Sequence, residues 1–261
     1  MIFNFCALTD TGRARQNNED SVVYDPQTGV AVLADGMGGY NAGEVASGMA
    51  TAYILESMGV RLRDTPQTLT SQFVRSAMEA CVSEANQSIF NAAAGNPSYS
   101  GMGTTLVMGV FQPGLAHIGH IGDSRCYRLR GGQLQQITRD HSLLQEQLDA
   151  GLVTPEQALH SNIKNLVTRA MGVEQFTQLE VNEHIVELGD IYLMCSDGLS
   201  DMVGPDDLAK ILTVDSTLES KVEALIDAAN DNGGRDNISV LLVEVLEAPG
   251  KRGLISRLLG K

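Results

Sequence analysis

Apolar and polar positions along the chain follow two different periodicities. Short runs with the alternation of a β-strand come first, at Phe3–Thr9, Ser21–Tyr24 and Val30–Ala34. Two longer stretches, Ala42–Met58 and Leu69–Ala94, then place their apolar residues at helical spacing. The first part of the chain is therefore predicted to form three strands followed by a pair of helices.

The rest of the chain is predicted to contain seven further strands and three further helices. The predicted strands are Thr104–Phe111, Leu115–Ile121, Cys126–Leu129, Gln133–Ile137, Phe176–Val186, Ile191–Cys195 and Ile238–Val245, and the predicted helices are Ser142–Ala150, Pro205–Leu212 and Leu218–Asn230. Strands thus come in clusters separated by helices, without regular alternation of strand and helix. This order favours an α+β fold in which helices cover antiparallel sheets.

Composition and charge exclude several classes of protein. The 32 acidic and 18 basic residues give a net charge of −14, which argues against a nucleic-acid partner because phosphate neutralisation needs clustered Lys and Arg. The 4 cysteines lie far apart and form no CxxC pair, so free thiols are expected rather than disulfides or a zinc site. Because neither a secretory signal nor a long apolar run is apparent, we expect a cytoplasmic protein.

Acidic residues stand at the ends of several predicted strands, beside glycine or small polar residues. They are Asp20, Asp35, Asp123, Asp197 and Asp236. A single Asp-Gly after a strand is usually only a turn. Several carboxylates that converge without cations would instead repel one another and raise their pKa values. Because oxygen ligands suit hard cations, the pattern predicts a site for Mg²⁺ or Mn²⁺.

Seven sequence blocks carry a resemblance to a known family. They are Thr9-Asp10-Thr11-Gly12 with Arg15 and Asn18-Glu19-Asp20, Asp35-Gly36-Met37-Gly38-Gly39 with Gly43-Glu44, Gly103-Thr104-Thr105, Gly122-Asp123-Ser124-Arg125, Thr138-Arg139-Asp140-His141-Ser142, Ser196-Asp197-Gly198-Leu199 and Gly234-Arg235-Asp236-Asn237. In these blocks, and in their order, the chain resembles the bacterial branch of the PPM family, the metal-dependent protein phosphatases of type 2C. The resemblance extends to about Val245.

The resemblance implies a fold and a division of the chain. It implies a four-layer α-β-β-α sandwich, in which helices flank two antiparallel sheets, within a phosphatase domain at 1–248. A small flap subdomain at about 143–165 would help to select substrates. The segment 249–261 has a different composition: it is a basic, amphipathic tail. We expect a frayed or packed tail, and the alternative is a weak membrane-binding or partner-binding helix.

The same resemblance implies roles for the candidate site residues. Asp35 would bridge two Mn²⁺ or Mg²⁺ ions, and Gly36 would supply a backbone carbonyl to one of them. Asp123 would help Asp197 to hold a third, weaker ion, and Arg15 would bind the substrate phosphate. The remaining positions are Asp236, a direct ligand, together with Asp20 and Glu19, which would act largely through metal-bound water.

The implied activity is hydrolysis of phosphoserine and phosphothreonine in proteins, in opposition to bacterial protein kinases. A metal-bridging hydroxide would attack phosphorus in line. Two departures concern proton transfer: Met37 stands where many eukaryotic relatives carry a histidine assigned as general acid, and Tyr40 stands where bacterial relatives often have histidine. Two alternatives remain open, namely a different two-metal hydrolase, such as a phosphodiesterase, and a pseudophosphatase that acts as a binding module.

Overall fold

The structure is a computed structural model that describes residues 1–39, 42–64, 69–158, 163 and 166–248. The predicted tail 249–261, Tyr40 and the flap residues 159–162 and 164–165 lie outside the described residues.

Two antiparallel sheets form the centre of the molecule. In chain order the strands are β1 (Ile2–Asp10), β2 (Asp20–Asp25), β3 (Val30–Met37), β4 (Gly103–Thr104), β5 (Leu106–Gln112), β6 (Leu115–Ile121), β7 (Arg125–Arg130), β8 (Gln133–Gln136), β9 (Glu180–Ile185), β10 (Ile191–Cys195) and β11 (Ile238–Leu246). One sheet has the order β1-β11-β10-β7-β8, and the other has the order β2-β3-β5-β6-β9, with β4 paired to β3. Every pairing between these strands is antiparallel.

Helices cover the outer faces of both sheets, and two short helices lie between β8 and β9. They are α1 (Ala42–Arg63), α2 (Ser71–Gly95), α3 (Leu143–Asp149), α4 (Pro155–Ala158), α5 (Asp197–Ser200), α6 (Pro205–Thr213) and α7 (Leu218–Asp231). Thr70 and Thr217 cap the first turns of α2 and α7, because each side-chain oxygen accepts a hydrogen bond from a backbone N–H three residues on. None of the helices within the described ranges is long and apolar enough to span a bilayer.

Three apolar clusters account for the four layers. One packs α1 and α2 on the outer face of the β2-to-β9 sheet, around residues such as Ile54 and Met78. A second packs α5, α6 and α7 on the other sheet, around Leu208 and Leu225. The third fills the space between the sheets, where Tyr192 is fully buried. The predicted α-β-β-α sandwich is confirmed.

Two sequence predictions differ from the structure. The strand predicted from Phe176 begins only at Glu180, and Phe176 itself is 76 % exposed. Alternation of residue types favoured a strand there, but strand pairing on β6 covers only 180–185. In addition, a short helix that the sequence did not predict, α5, begins at Asp197.

Candidate metal centre

The structure brings the predicted aspartates to one end of the two sheets. Asp20 and Asp35 face each other in the register of β2 and β3. Asp123 follows β6, Asp197 begins α5 directly after β10, and Asp236 lies two residues before β11. A cavity of about 500 Å³ opens between them and is lined by Arg15, Glu19, Asp35, Gly36, Asp123, Asp197 and Asp236, among others. The structure thus brings four of the five aspartates to one cavity, with Asp20 paired to Asp35 beside it.

Burial and mutual repulsion dominate the electrostatics of this end of the molecule. Burial, followed by the charges of Asp123 and Asp236, raises the pKa of Asp197 to about 8. Burial raises the pKa of Asp20 and of Asp123 to about 6 in each case. The pKa of Asp35 lies well above its ordinary value because the carboxyl is buried among the other four aspartates. Without added positive charge, the Asp197 carboxyl would hold its proton at neutral pH.

The deepest carboxylate, that of Asp20, is only half satisfied. Its Oδ2 accepts a 2.8 Å hydrogen bond from the Ser196 hydroxyl, which itself accepts one from the backbone N–H of Ser239. Its Oδ1 is buried and has no hydrogen-bond donor among the described residues. A buried, unpaired carboxylate oxygen is costly. A cation, or a water molecule bound to one, would satisfy this unpaired oxygen.

Threonine and serine hydroxyls fix the strand that carries Asp35. The backbone N–H of Asp35 donates to Thr105 Oγ1 at 3.1 Å, and its carbonyl accepts from Thr104 Oγ1 at 2.9 Å. Thr105 Oγ1 also lies 2.7 Å from Ser124 Oγ, next to Asp123. One buried hydroxyl pair thus links the backbones beside two of the aspartates. The sequence analysis quoted these residues as family motifs but did not assign this role to them.

Asn237 ties the loop before β2 to the start of β11. Its Oδ1 accepts from the backbone N–H of Glu19 at 2.8 Å, and its Nδ2 donates to the carbonyls of Thr11 and Asn17 at 3.0 and 2.9 Å. Gly12 permits the close approach of the two segments. Its φ is +79°, and a Cβ on this residue would lie 2.2 Å from the Asp236 carbonyl oxygen. Sequence reasoning missed Asn237 as a positioning residue.

Close backbone packing also explains Gly36. A Cβ at Gly36 would lie 2.2 Å from the Gly43 carbonyl oxygen and 2.5 Å from that of Glu19, so no larger residue fits. The Glu19 carboxylate lies against Gly43, in the first turn of α1, where a helix end favours negative charge. Burial raises the pKa of Glu19, although Arg15 opposes the shift. The structure thus places Glu19 and Gly36 beside the cavity, as the sequence analysis predicted.

Arg15 stands at the rim of the cavity. Its Nη2 donates to Asp236 Oδ2 at 2.7 Å, and the two side chains are 55 % and 30 % exposed. This hydrogen bond raises the pKa of Arg15, so the guanidinium stays charged. The salt bridge and a metal ion would compete for the same carboxylate oxygen, and the exposed arginine remains accessible to an anion that enters from solvent.

The aspartate oxygens are spread around the cavity rather than clustered about one point. Among the described residues, the group of three acidic, histidine or cysteine side chains whose ligand atoms lie within 4.8 Å of one another is His120, His141 and Glu180. The wider spacing of the aspartates suits ions that keep several waters, as Mg²⁺ and its analogues do. The oxygen-only donor set also fits such ions.

Three of the four ring nitrogens in the histidine group have hydrogen-bond partners, and His120 Nδ1 has none among the described residues. His141 Nδ1 accepts the backbone N–H of Gly122 at 3.2 Å, so its proton lies on Nε2, which points to Glu180 Oε2 at 3.3 Å. His120 stacks on the same ring with centroids 4.5 Å apart, and its Nε2 is 2.7 Å from the Arg139 carbonyl oxygen. The sequence analysis left His141 out of the site, and its contacts support a hydrogen-bonding role next to the Asp123 turn.

Comparison with known proteins agrees with this geometry. The family model for Protein phosphatase 2C matches residues 10–243. Serine/threonine phosphatase Stp of Listeria monocytogenes is 38 % identical over 90 % of this chain and 93 % of its own length. Protein phosphatase PhpP of Streptococcus pneumoniae is 40 % identical over 92 % of this chain and 96 % of its own.

Solved structures give the same result at the level of the fold. The catalytic domain of the serine/threonine protein phosphatase PstP, solved in complex with two manganese ions, matches with a TM-score of 0.82 at 34 % identity. The match covers 94 % of this chain and 99 % of that one. The chain belongs to the bacterial branch of the PPM (type 2C) family and is a protein serine/threonine phosphatase.

Proposed function

We propose that this chain hydrolyses phosphoserine and phosphothreonine in proteins with two Mn²⁺ or Mg²⁺ ions held between Asp35, Gly36, Asp197 and Asp236. The observation that carries the proposal is the concentration of carboxyls with raised pKa values around one cavity. Arg15 is the only cationic side chain among the described residues that line it. A phosphate dianion would be repelled from such a cavity unless divalent cations reversed the field.

When bound, the two ions supply an activated water for in-line attack on phosphorus. The remaining work falls to side chains of this chain. Arg15, half exposed at the rim, offers a planar guanidinium that can hold two phosphate oxygens and orient the ester. Glu19 and Asp20 would orient water in the metal shell, since Asp20 Oδ1 has no other partner among the described residues. Met37 lines the cavity and has no proton to donate, so it takes no part in acid catalysis.

A third, weaker ion fits between Asp123 and Asp197. The two carboxylates repel each other, as the raised pKa of Asp197 shows, and both face the cavity. Asp123 also lines a neighbouring cavity beside α3, at the start of the predicted flap. An ion held here would carry fewer protein ligands than the other two, which is why we expect weaker binding.

The partners that follow from this activity are phosphorylated proteins and the serine/threonine kinases that modify them. The named relatives are serine/threonine phosphatases, and such enzymes act on phosphoproteins. We propose that the chain opposes a cognate kinase.

Metal dependence and ester class can be tested in one experiment. The purified protein should hydrolyse p-nitrophenyl phosphate and a phosphothreonine peptide with Mn²⁺, lose activity in excess chelator and regain it when Mn²⁺ is restored. It should leave bis(p-nitrophenyl) phosphate intact, whereas a two-metal phosphodiesterase would cleave it. Activity that survives thorough metal removal, or no activity on either monoester, would refute the proposal.

Two alanine variants separate the core ions from the third. Asp197→Ala should abolish turnover and reduce the number of Mn²⁺ ions bound in calorimetry. Asp123→Ala should keep two bound ions and slow turnover, because only the weaker ion is lost. If Asp123→Ala matches the parent protein in both metal stoichiometry and rate, the third-ion assignment is wrong.

A further inference from the structure

A second cavity adjoins the metal cavity and has a different chemistry. It encloses about 540 Å³ and shares Met37 and Val167 with the first. Its other walls come from the segment 168–178, which precedes β9. Five apolar residues line it, and we call it the apolar groove after them: Met37, Val167, Ala170, Val173 and Phe176. The rest of its lining is polar or charged: Thr168, Arg169, Glu174, Thr177 and Gln178.

Large apolar side chains are left in water at this groove. Phe176 is 76 % exposed and Val173 is 53 % exposed. Scattered exposed apolar residues need no explanation, but these two line one concave surface that opens into the proposed active site. An apolar ligand would remove both from water.

The backbone of the groove wall is held in place from beneath. Asn86 on α2 donates from Nδ2 to the carbonyls of Glu174 and Gln175, at 3.0 Å in both cases, and its Oδ1 accepts from the Gly172 N–H at 2.7 Å. Gly172 has a φ of +82°, and a Cβ there would lie 2.3 Å from Ile89 Cγ2. The turn that presents Val173 and Phe176 is therefore fixed by buried contacts.

The same wall is joined to the strand that carries Asp35. Met171 and Thr104 exchange backbone hydrogen bonds of 3.0 and 2.8 Å, and Thr104 Oγ1 donates to the Asp35 carbonyl. On the other side, the Thr168 N–H donates to the His141 carbonyl at 2.8 Å. These hydrogen bonds fix the position of the groove relative to the metal cavity, which a site that selects substrates requires.

We propose that the apolar groove binds an aliphatic or aromatic side chain of the phosphoprotein substrate, a few residues from the phosphorylated serine or threonine. This inference rests on the proposed function. With the phosphate at Arg15 and the aspartates, an extended substrate chain that rises about 3.3 Å per residue would pass Met37 and Val167 and reach the groove within about two to four residues. The continuity of the two cavities favours this occupant over an unrelated ligand.

The test measures kcat/KM on phosphothreonine peptides in which leucine replaces serine at one position at a time, from four residues before the phosphothreonine to four after it. The parent protein should prefer leucine at one or two neighbouring positions by about five- to tenfold, the range expected for partial burial of an aliphatic side chain. Phe176→Ser and Val173→Ser should remove that preference and leave hydrolysis of p-nitrophenyl phosphate unchanged.

Ile185→Ser is the matched control. Ile185 is 69 % exposed and pairs with Leu115, at the start of β6, whereas the metal cavity lies beyond the far end of that strand. Because β6 has seven residues, Ile185 lies about 20 Å from the metal cavity. Its peptide preference should equal that of the parent protein.

Three outcomes would overturn the proposal. A leucine preference that persists unchanged in Phe176→Ser and Val173→Ser, or the absence of any preference in an active parent protein, would mean that the groove does not read the substrate. A Phe176→Ser variant that converts a dimer into a monomer, with its peptide preference intact, would make the groove a self-association face. Failure of the parent protein on both p-nitrophenyl phosphate and the peptides would instead refute the proposed function itself.

Discussion

The two ends of strand β10 each carry an aspartate, Asp190 buried and Asp197 half-buried, and their surroundings differ in charge. Asp190, just before the strand, is 1 % exposed, and both of its carboxylate oxygens accept 2.7 Å hydrogen bonds from Arg130. The backbone N–H of Glu187 adds a third at 2.9 Å. Asp197, just after the strand, is surrounded by other carboxyls that raise its pKa. One aspartate is neutralised from within the chain, and the other is not.

This contrast separates structural from functional carboxylates. Asp140 follows the structural pattern, since Arg125 binds both of its oxygens at distances between 2.6 and 3.0 Å. The chain can therefore supply arginine to a buried acid where stability requires it. The carboxylates at the metal cavity receive one exposed arginine, Arg15, and the repulsion among them remains. This difference supports the proposal that divalent cations supply positive charge at the metal cavity.

The strongest test of the contrast removes the negative charge at one end of β10 in one variant and at the other end in a second variant. Asp197→Asn should reduce turnover about a thousandfold or more, because a weak amide ligand replaces a carboxylate at the proposed metals. In the metal-free protein the same change should raise the unfolding midpoint, because it removes repulsion. Asp190→Asn should instead keep turnover and lower stability by about 2–4 kcal/mol, since Arg130 loses its buried carboxylate partner and keeps only the exposed Glu187 carboxylate and the Ile185 carbonyl.

Activity assays and thermal unfolding with chelator measure both predictions on the same samples. If Asp197→Asn destabilised the metal-free protein as much as Asp190→Asn does, the difference between the two ends of the strand would have no electrostatic basis. Equal loss of turnover in the two variants would count against a special role for the Asp197 end.

The pH dependence of the metal-free protein gives a second, smaller effect. Because the folded-state pKa values of Asp20 and Asp123 are about 6 and that of Asp197 is about 8, the folded protein binds protons more tightly than the unfolded chain, whose aspartates titrate near 3.9. This contribution to stability is complete below about pH 4 and is lost as pH rises through 6 to 8. Asp197, whose pKa is raised the most of the three, should account for the largest part of this loss.

Buried histidines act in the opposite direction and must be separated from this effect. Burial lowers the pKa values of His117, His141 and His184, so they add stability as pH rises. The informative quantity is therefore the difference between the parent protein and Asp197→Asn in urea unfolding with chelator. The stability of the parent relative to the variant should fall between pH 6 and pH 8, and saturating Mn²⁺ should abolish that fall. A parallel pair of curves would contradict the raised pKa of Asp197.

The sequence predicted helices that cover antiparallel sheets and the candidate aspartates, because both predictions depend on local patterns. Apolar runs such as Val30–Ala34 identify strands, and an acid directly after a buried strand emerges at a fixed place. The supporting hydrogen bonds depend on contacts between distant segments. Ser196 meets Asp20 across 176 positions, and Asn237 meets Glu19 across 218, so no local spacing predicts either bond.

The strand wrongly extended to Phe176 has a related cause. Its alternating residues satisfy the β pattern, but β9 pairs with β6 only over 180–185, and Asn86 holds the turn at 172–175 that immediately precedes Phe176. A side chain on another element has therefore overridden local propensity. The same contact creates the apolar groove, which no pattern within 166–179 predicts.

The smallest predicted effect concerns Arg15, the only cationic side chain among the described residues that line the metal cavity. Arg15→Lys keeps the charge but replaces a planar guanidinium, able to hold two phosphate oxygens, with a point charge. We expect kcat/KM for a phosphothreonine peptide to fall about tenfold, equal to about 1.4 kcal/mol of transition-state binding, and Mn²⁺ stoichiometry to stay the same. Because the Arg15–Asp236 pair is largely exposed, the free energy of unfolding should change by less than about 1 kcal/mol. Arg13→Lys, two residues away in the same loop, is the matched control. Equal losses of kcat/KM in both variants would show that Arg15 contributes only general positive charge, and the contrast between the two ends of β10 would then rest on the metal ions alone.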